Sequence, residues 1–503
     1  MGVTRVVALL AAFVFCLPVA ATWHPAVPVE LRITSLGLLV VSIVRPFVGL
    51  LVLAGVLPMA MLVGAVTDAP FGSTDVMELL IAPVALSCAI RELSARRGSE
   101  DGRLLWPSGV LIALVLASLV VQLAVQRDSG GAIGPWLADL WRHVSRTYFA
   151  DGPIYPPLHR AFAWIWGLAL AVFAERRLRD SPAERMAVVR MAVFGAAASG
   201  LFALARVAEV SLRSGQPWQA VWDVFAAIRI SPHMDPNAAG SFYVMAAVPA
   251  VWWAISTRAW WAMTSVPPIV AALWLTRSRT ALIVFVIGLG LAWVWSRRWS
   301  WRRAAVAALA GAAALAALIG IGFGRSQAAE PAMRFRLDMA IVSVQLAARH
   351  PIVGIGLDEF HGASVPFITP GAIARFPPAA GGENAHNNFL QILVELGGAG
   401  LAAFLWLLLS PGLAFARGLR GSMVSSESVG LAAGVFAFLL SCLAGHPLMV
   451  AQAALPFFLT LGLLAASLPA RAPRRASTAR RAAAIGLAAI ALALIFRLRT
   501  TTI

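Results

Sequence analysis

The stretch Glu383-Asn-Ala-His386-Asn387-Asn388-Phe-Leu-Gln-Ile-Leu-Val-Glu395-Leu-Gly397-Gly-Ala-Gly-Leu-Ala-Ala-Phe-Leu-Trp-Leu-Leu-Leu409 passes from a polar loop directly into an apolar run. From 388 onward the run is long enough to cross a bilayer as a helix, which takes about 20 residues. His386 stands at the boundary, so one titratable imidazole is placed where a membrane meets water. The loop before it carries His350-Pro351-Ile-Val-Gly354-Ile-Gly356-Leu-Asp-Glu-Phe360.

Working outward, similar apolar runs recur through the chain. Of 503 residues, 60% are hydrophobic and only 13% charged, and the mean hydropathy is +0.81. A soluble protein of this length cannot hide that much apolar surface. Only helices and closed barrels satisfy the backbone in lipid, and these runs are continuous rather than alternating. The expected fold is an all-α, polytopic integral membrane protein. It would have about 12–15 transmembrane helices and a large outer-face loop, with residues 1–503 as a single membrane domain. Candidate spans lie near 5–22, 31–44, 46–66, 75–92, 104–125, 158–175, 187–209, 237–256, 259–276, 280–296, 303–323, 388–409, 429–447, 450–468 and 483–498. The first looks like a signal peptide, with Arg5, an apolar stretch and Pro-Val-Ala-Ala; with so many spans after it, it reads as a retained helix.

The formal charge is +17, and every basic side chain other than His is Arg. These Arg fall in loops, the pattern of the positive-inside rule, and nucleic acid is not an expected partner. Arg91, Arg96, Arg97 and Arg103 share one short loop, and Arg176, Arg177, Arg179 and Arg185 another. Further groups are Arg297, Arg298, Arg302 and Arg303, then Arg417 and Arg420, then the cluster between Arg471 and Arg481. Alternating spans put all of these on one face, which is then cytoplasmic. The longer loops, about 126–157, 210–236 and 324–387, lie opposite, on the periplasmic face of a bacterial inner membrane. Loop 324–387 should hold a short amphipathic helix near 332–349. Leu337, Ile341, Val344 and Ala348 mark its apolar positions and Pro351 its end. Cys16, Cys88 and Cys442 have neither metal nor disulfide spacing.

Four polar clusters converge on the outer face. They are Arg229-Ile-Ser-Pro-His-Met-Asp-Pro-Asn237, Arg277-Ser278-Arg279-Thr280, Arg334 and Arg336 followed by Gly354-Ile-Gly356, and His386-Asn387-Asn388. Each residue also has a plain structural reading. His386 or Asn237 would cap a helix, and Arg279 would snorkel. Arg229 would pair with Asp223 or Asp235, and Arg334 with Asp338. Gly354 and Gly356 would make a turn.

In order and spacing these clusters resemble the O-antigen ligase and O-antigen polymerase superfamily of bacterial polysaccharide assembly. Arg229 with Pro236-Asn237, Ser278-Arg279-Thr280, Arg336 through Gly354-x-Gly356 and Phe360, and the close on Ala385-His386-Asn387, Leu390, Glu395 and Gly397 carry the likeness over about residues 229–400. The resemblance implies glycan transfer from an undecaprenyl-diphosphate-linked donor to a sugar hydroxyl. The acceptor would be lipid A core for a ligase or a growing polysaccharide for a polymerase. His386, Arg279 and Arg229 would be the catalytic residues. Arg336, Asn237, Ser278, Gly354, Gly356, Asn387 and Glu383 would bind substrate. Neither cofactor nor metal is expected, because guanidinium groups bind a diphosphate bidentately and keep their charge. A transporter or flippase of lipid-linked glycan is the alternative from another class, although ionisable groups inside the spans are sparse.

Overall fold

Proline and apolar runs set the helix boundaries. In the computed structural model the described residues are 12, 15–70, 73–94, 102–125, 142, 156–213, 235–297 and 329–469. Their principal helices are α1 (Val29–Val44), α2 (Pro46–Val56), α3 (Ala60–Val66), α4 (Ser73–Ser94), α5 (Leu105–Val125), α6 (Pro156–Leu178), α7 (Pro182–Arg213) and α8 (Pro236–Thr257). They continue with α9 (Trp260–Leu275), α10 (Arg279–Ser296), α11 (Ala329–Arg349), α12 (Phe360–Ser364), α13 (Pro370–Arg375), α14 (Asn388–Arg420), α15 (Ser426–Ser441) and α16 (Ala451–Ser467). There is no strand among the described residues. The all-α expectation therefore holds. The expected spans at 303–323 and 483–498, and Arg229, lie outside the described residues.

Six of these helices, α5, α6, α7, α8, α10 and α14, are long and apolar enough to cross a membrane. The paired candidates at 31–44 and 46–66 are separate helices. Arg45 precedes Pro46 and sits at φ −135°, ψ 83°, because the proline ring excludes the helical conformation there. In the bundle α6 packs on α16, α8 on α15, α7 on α9 and α1 on α4.

The two ends of the bundle differ. At one end Glu175 accepts from the backbone N–H of Arg103 (2.7 Å) and Leu104 (2.9 Å), and Arg185 donates to Glu427 at 2.7 Å. Arg176, Arg177, Arg417 and Arg420 close helices at this Arg-rich end. The other end carries the starts of α4, α6, α8, α10 and α14 and the segment 329–387, and is called the loop end below.

Segment 329–387 is fastened by a break in α14. At Gly397 the chain turns to φ 68°, ψ −172°, a conformation essentially confined to glycine. The break frees backbone groups, and the loop satisfies them. Ile355 N–H donates to Val394 O (2.9 Å) and Gly356 N–H to Glu395 O (3.0 Å). In return Gly398 and Ala399 donate to Pro351 O (2.8 Å) and Ile352 O (3.1 Å). A Cβ on Gly397 would lie 2.2 Å from Ile352 O. The loop and the helix are thus joined backbone to backbone.

Helix α11 forms where the sequence places it, with one difference. Phe335, Met339, Val342 and Leu346 are the buried face, packed with Phe360, Ile368 and Val394. Leu337, Ile341 and Val344, the apolar positions read from the sequence, form a second, exposed row. The helix is apolar on two sides, so periodicity alone cannot choose between them.

Candidate functional site at the loop end

Local rules place each polar group. Asp235 precedes Pro236 and caps α8, its carboxylate accepting from the N–H of Asn237 (2.6 Å) and Ala238 (3.1 Å). Ser278 caps α10 in the same way, accepting from Ala281 N–H at 3.4 Å, and so sets Arg279 at the first helical position. The starts of the two helices are close; a Cβ on Gly240 would meet Ser278 Cβ at 2.9 Å. Arg279 and Asn237 are both half-buried here.

Asn387, rather than His386, is the cap of α14. Its side chain accepts from Phe389 (2.9 Å) and Leu390 (3.2 Å) and donates to Leu443 O at 3.1 Å. Asn388 donates its N–H to Cys442 O (2.9 Å), and its side-chain oxygen accepts from Leu448 N–H (3.1 Å). These two asparagines therefore pin the link between α15 and α16 onto the start of α14. The link carries His446, whose ring comes to lie 5.1 Å from that of His386, centroid to centroid. The partner on the far side is Asp235, with Oδ2 at 3.2 Å from His446 Nε2.

His386 itself has a left-handed backbone, φ 50°. The Phe335 ring of α11 stands edge-on at 5.7 Å, and Glu383 Oε1 lies 4.0 Å from His386 Nε2. Burial, then the charges of His446 and Arg336, push its pKa down to about 4, with Asp235 opposing them. The imidazole is therefore neutral at neutral pH and presents a lone pair. Burial works to raise Asp235, but the hydrogen bond and charge of His446 and the two capping N–H groups outweigh it, and its pKa falls to about 2. Asp235 is thus a carboxylate throughout the ordinary pH range.

The structure brings His386, Glu383 and the charge of Arg336 together, adds His446 and Asp235, and sets the starts of α8 and α10 alongside. Gly354 and Gly356 are placed differently. Gly354 N–H donates to His350 O (3.1 Å) and Gly356 N–H to Glu395 O, so both serve the joint at Gly397. Beside them Gln122 donates to Leu357 O at 2.7 Å, and Arg160 pairs with Asp358 at 3.1 Å. Glu395 accepts from Gln391 at 2.7 Å, and Gln391 in turn accepts from Ala385 N–H at 2.9 Å. Asp338 pairs with Arg375. An apolar cavity in the bundle, lined among others by Val193, Phe242, Pro249, Trp253 and Pro456, has no ionisable lining residue.

One group of side chains among the described residues has metal-ligand character. Asp75 and Glu78 of α4 and His159 of α6 hold their donor atoms within 4.8 Å of one another. Sequence reading missed this set because α4 and α6 are far apart in the chain. It missed His446 for a similar reason: His446-Pro447 matches no motif, and only the asparagine contacts bring it to His386.

The fold defines an all-α, multi-pass membrane protein. Residues 264–405 match the family model described as O-antigen ligase, so the likeness seen in the sequence is borne out there. The match supports ligase- or polymerase-like glycosyl transfer in polysaccharide biosynthesis. It includes Arg279, Arg336, Glu383 and His386 and leaves out Arg229, Asp235, Asn237 and His446. No curated protein matches the chain.

Proposed function

We propose that the protein transfers a glycan from an undecaprenyl-diphosphate-linked donor to a sugar hydroxyl, on lipid A core or on a growing polysaccharide, at the periplasmic face of a bacterial inner membrane. The observation that carries this reading is a neutral imidazole, His386, held between a cationic helix face and the starts of α8 and α10. The family match over 264–405 gives the chemical class.

Arg279 and Arg229 hold the diphosphate, and Arg336 supports them from α11. Helix N-termini add partial positive charge. These groups stabilise the negative charge that grows as the diphosphate departs. His386 takes the acceptor hydroxyl proton. The acceptor oxygen then bonds to the anomeric carbon as the carbon–oxygen bond to the diphosphate breaks, its electron pair leaving with the phosphate. No metal takes part; guanidinium groups fill that role. The exposed row Met333, Leu337, Ile341 and Val344 lies on the bilayer surface.

Two experiments test this. Purified protein with a lipid-linked donor and a sugar acceptor should yield transferred glycan, and a deletion strain identifies the acceptor. Long lipid-linked chains accumulate if ligation is lost, single repeats if polymerisation is lost. Orientation is tested with a membrane-impermeant thiol reagent on intact cells: Ala380→Cys should label and Met423→Cys should not. The reverse pattern overturns the assigned face.

A further inference from the structure

We propose that His386, His446 and Asp235 form a proton relay, in which the acceptor's proton is passed on from His386 to His446. This rests on the glycan-transfer reading above.

Three separate elements converge to build it: the N-cap of α8, the link between α15 and α16, and the loop residue preceding the N-cap of α14. His446 Nε2 faces the Asp235 carboxylate at 3.2 Å, and in the neutral ring that contact holds the proton on Nε2 and leaves a lone pair on Nδ1. That Nδ1 is buried and has no hydrogen-bond partner. Folded proteins rarely leave a buried acceptor unsatisfied without a use for it. The neighbour is His386, with ring centroids 5.1 Å apart and planes tilted by 56°. At that separation, reorienting one ring closes an N–H···N contact of about 3 Å.

The relay answers a problem in the site. His386 is buried beside Arg336, so a proton it accepts is poorly held there. In the relay one ring nitrogen of His386 takes the hydroxyl proton while the other gives its proton to His446 Nδ1. His386 ends neutral, and the positive charge rests on His446 against the Asp235 carboxylate. The acceptor oxygen has bonded to the anomeric carbon, and the diphosphate has left with its electron pair. Helix capping alone does not explain Asp235, since Asn caps a helix equally well.

That equivalence supplies the test. Wild type, Asp235→Asn and His446→Gln are purified, checked by thermal melting, and assayed for donor binding and for transfer across pH. The groups facing His386 are His446, Asp235, Arg336 of α11 and Glu383 of its own loop. Both variants should bind donor as wild type does and lose about tenfold or more in turnover at neutral pH. Asp235 raises the His386 pKa. The acid limb of the rate profile should therefore move to lower pH in Asp235→Asn. Wild-type turnover in Asp235→Asn overturns the relay, and so does lost turnover with an unmoved limb, which marks a structural role. If His446→Gln does not fold, Asp235→Asn decides alone. No transfer by wild type overturns the glycan-transfer reading and the relay with it; transfer by wild type with unaffected variants overturns the relay only.

Discussion

The break at Gly397 and His386 belong to one continuous stretch of chain, yet the polar groups around them have opposite fates. At Gly397 the freed backbone groups are matched by the loop: four N–H···O bonds join 351–356 to 394–399. Around His386 the capping bonds of Asp235 and Asn387 still leave Nδ1 of His446 open. A neutral imidazole, a second imidazole with an unpartnered nitrogen and an ionised carboxylate stand together. Polar groups consumed by the fold build architecture, and those left over are free for chemistry. The glycines of the Gly354-x-Gly356 pattern fall on the first side and His386 on the second.

The sharpest way to break this contrast is Gly397→Val. A branched side chain at φ 68° puts its Cβ 2.2 Å from Ile352 O. Backbone strain and overpacking together cost about 4 kcal/mol or more. The expected outcome is a protein that no longer purifies as a monodisperse, cooperatively melting species. A wild-type melting profile would show that the loop is not joined to the helix at this point.

His386→Ala should do the reverse, leaving the fold intact and removing chemistry. Turnover should fall by about 10²- to 10⁴-fold, the usual contribution of a general base, with donor binding nearly unchanged. Transfer and donor binding are measured on the same folded preparation. Wild-type turnover would return His386 to a purely structural place. A loss of donor affinity would move it to the diphosphate site.

How much of this was legible depends on how local each signal is. The apolar run after Asn388 and the Arg-rich ends of helices are local, and the described helices lie near where those runs place them. The run Leu-Gly397-Gly-Ala-Gly gives no warning of a break, because small residues suit a straight, closely packed helix equally well. The buried face of α11 could not be read from the sequence, because both its faces are apolar. His386 could be found because a motif surrounds it. His446 could not, since its position depends on contacts made by Asn387 and Asn388 across the fold. Asp235 was legible as a charge near Arg229, but its pairing with His446 was not.

Arg279→Lys probes the open side more gently. An ammonium keeps the charge but cannot make the planar, two-point contact of a guanidinium with phosphate. Donor affinity should fall by about tenfold, equivalent to about 1.4 kcal/mol. The melting temperature should hold, because Ser278, not Arg279, caps α10. Titration of the donor lipid against the folded variant checks this. Unchanged affinity would remove Arg279 from the diphosphate site.

The smallest expected effect comes from removing divalent cations. If guanidinium groups carry the charge stabilisation, transfer should continue unchanged in EDTA. Asp75, Glu78 and His159 make the experiment informative, because their donor atoms lie within 4.8 Å of one another, close enough to share one ion. This cluster sits at the loop end, where His159 precedes Arg160, and Arg160 holds both Asp358 and Met449 O. An ion there would tie α4 to α6 and, through Arg160, to the joint and to the link that carries His446. Loss of activity in EDTA, restored by Mg²⁺ or Mn²⁺ in wild type but not in Glu78→Gln, would place a cation at this cluster. The open side of the molecule would then include a metal as well as arginines. Activity that survives chelation keeps the cluster as a partly buried polar contact between two helices and leaves the charge of the departing diphosphate to Arg279, Arg229 and Arg336.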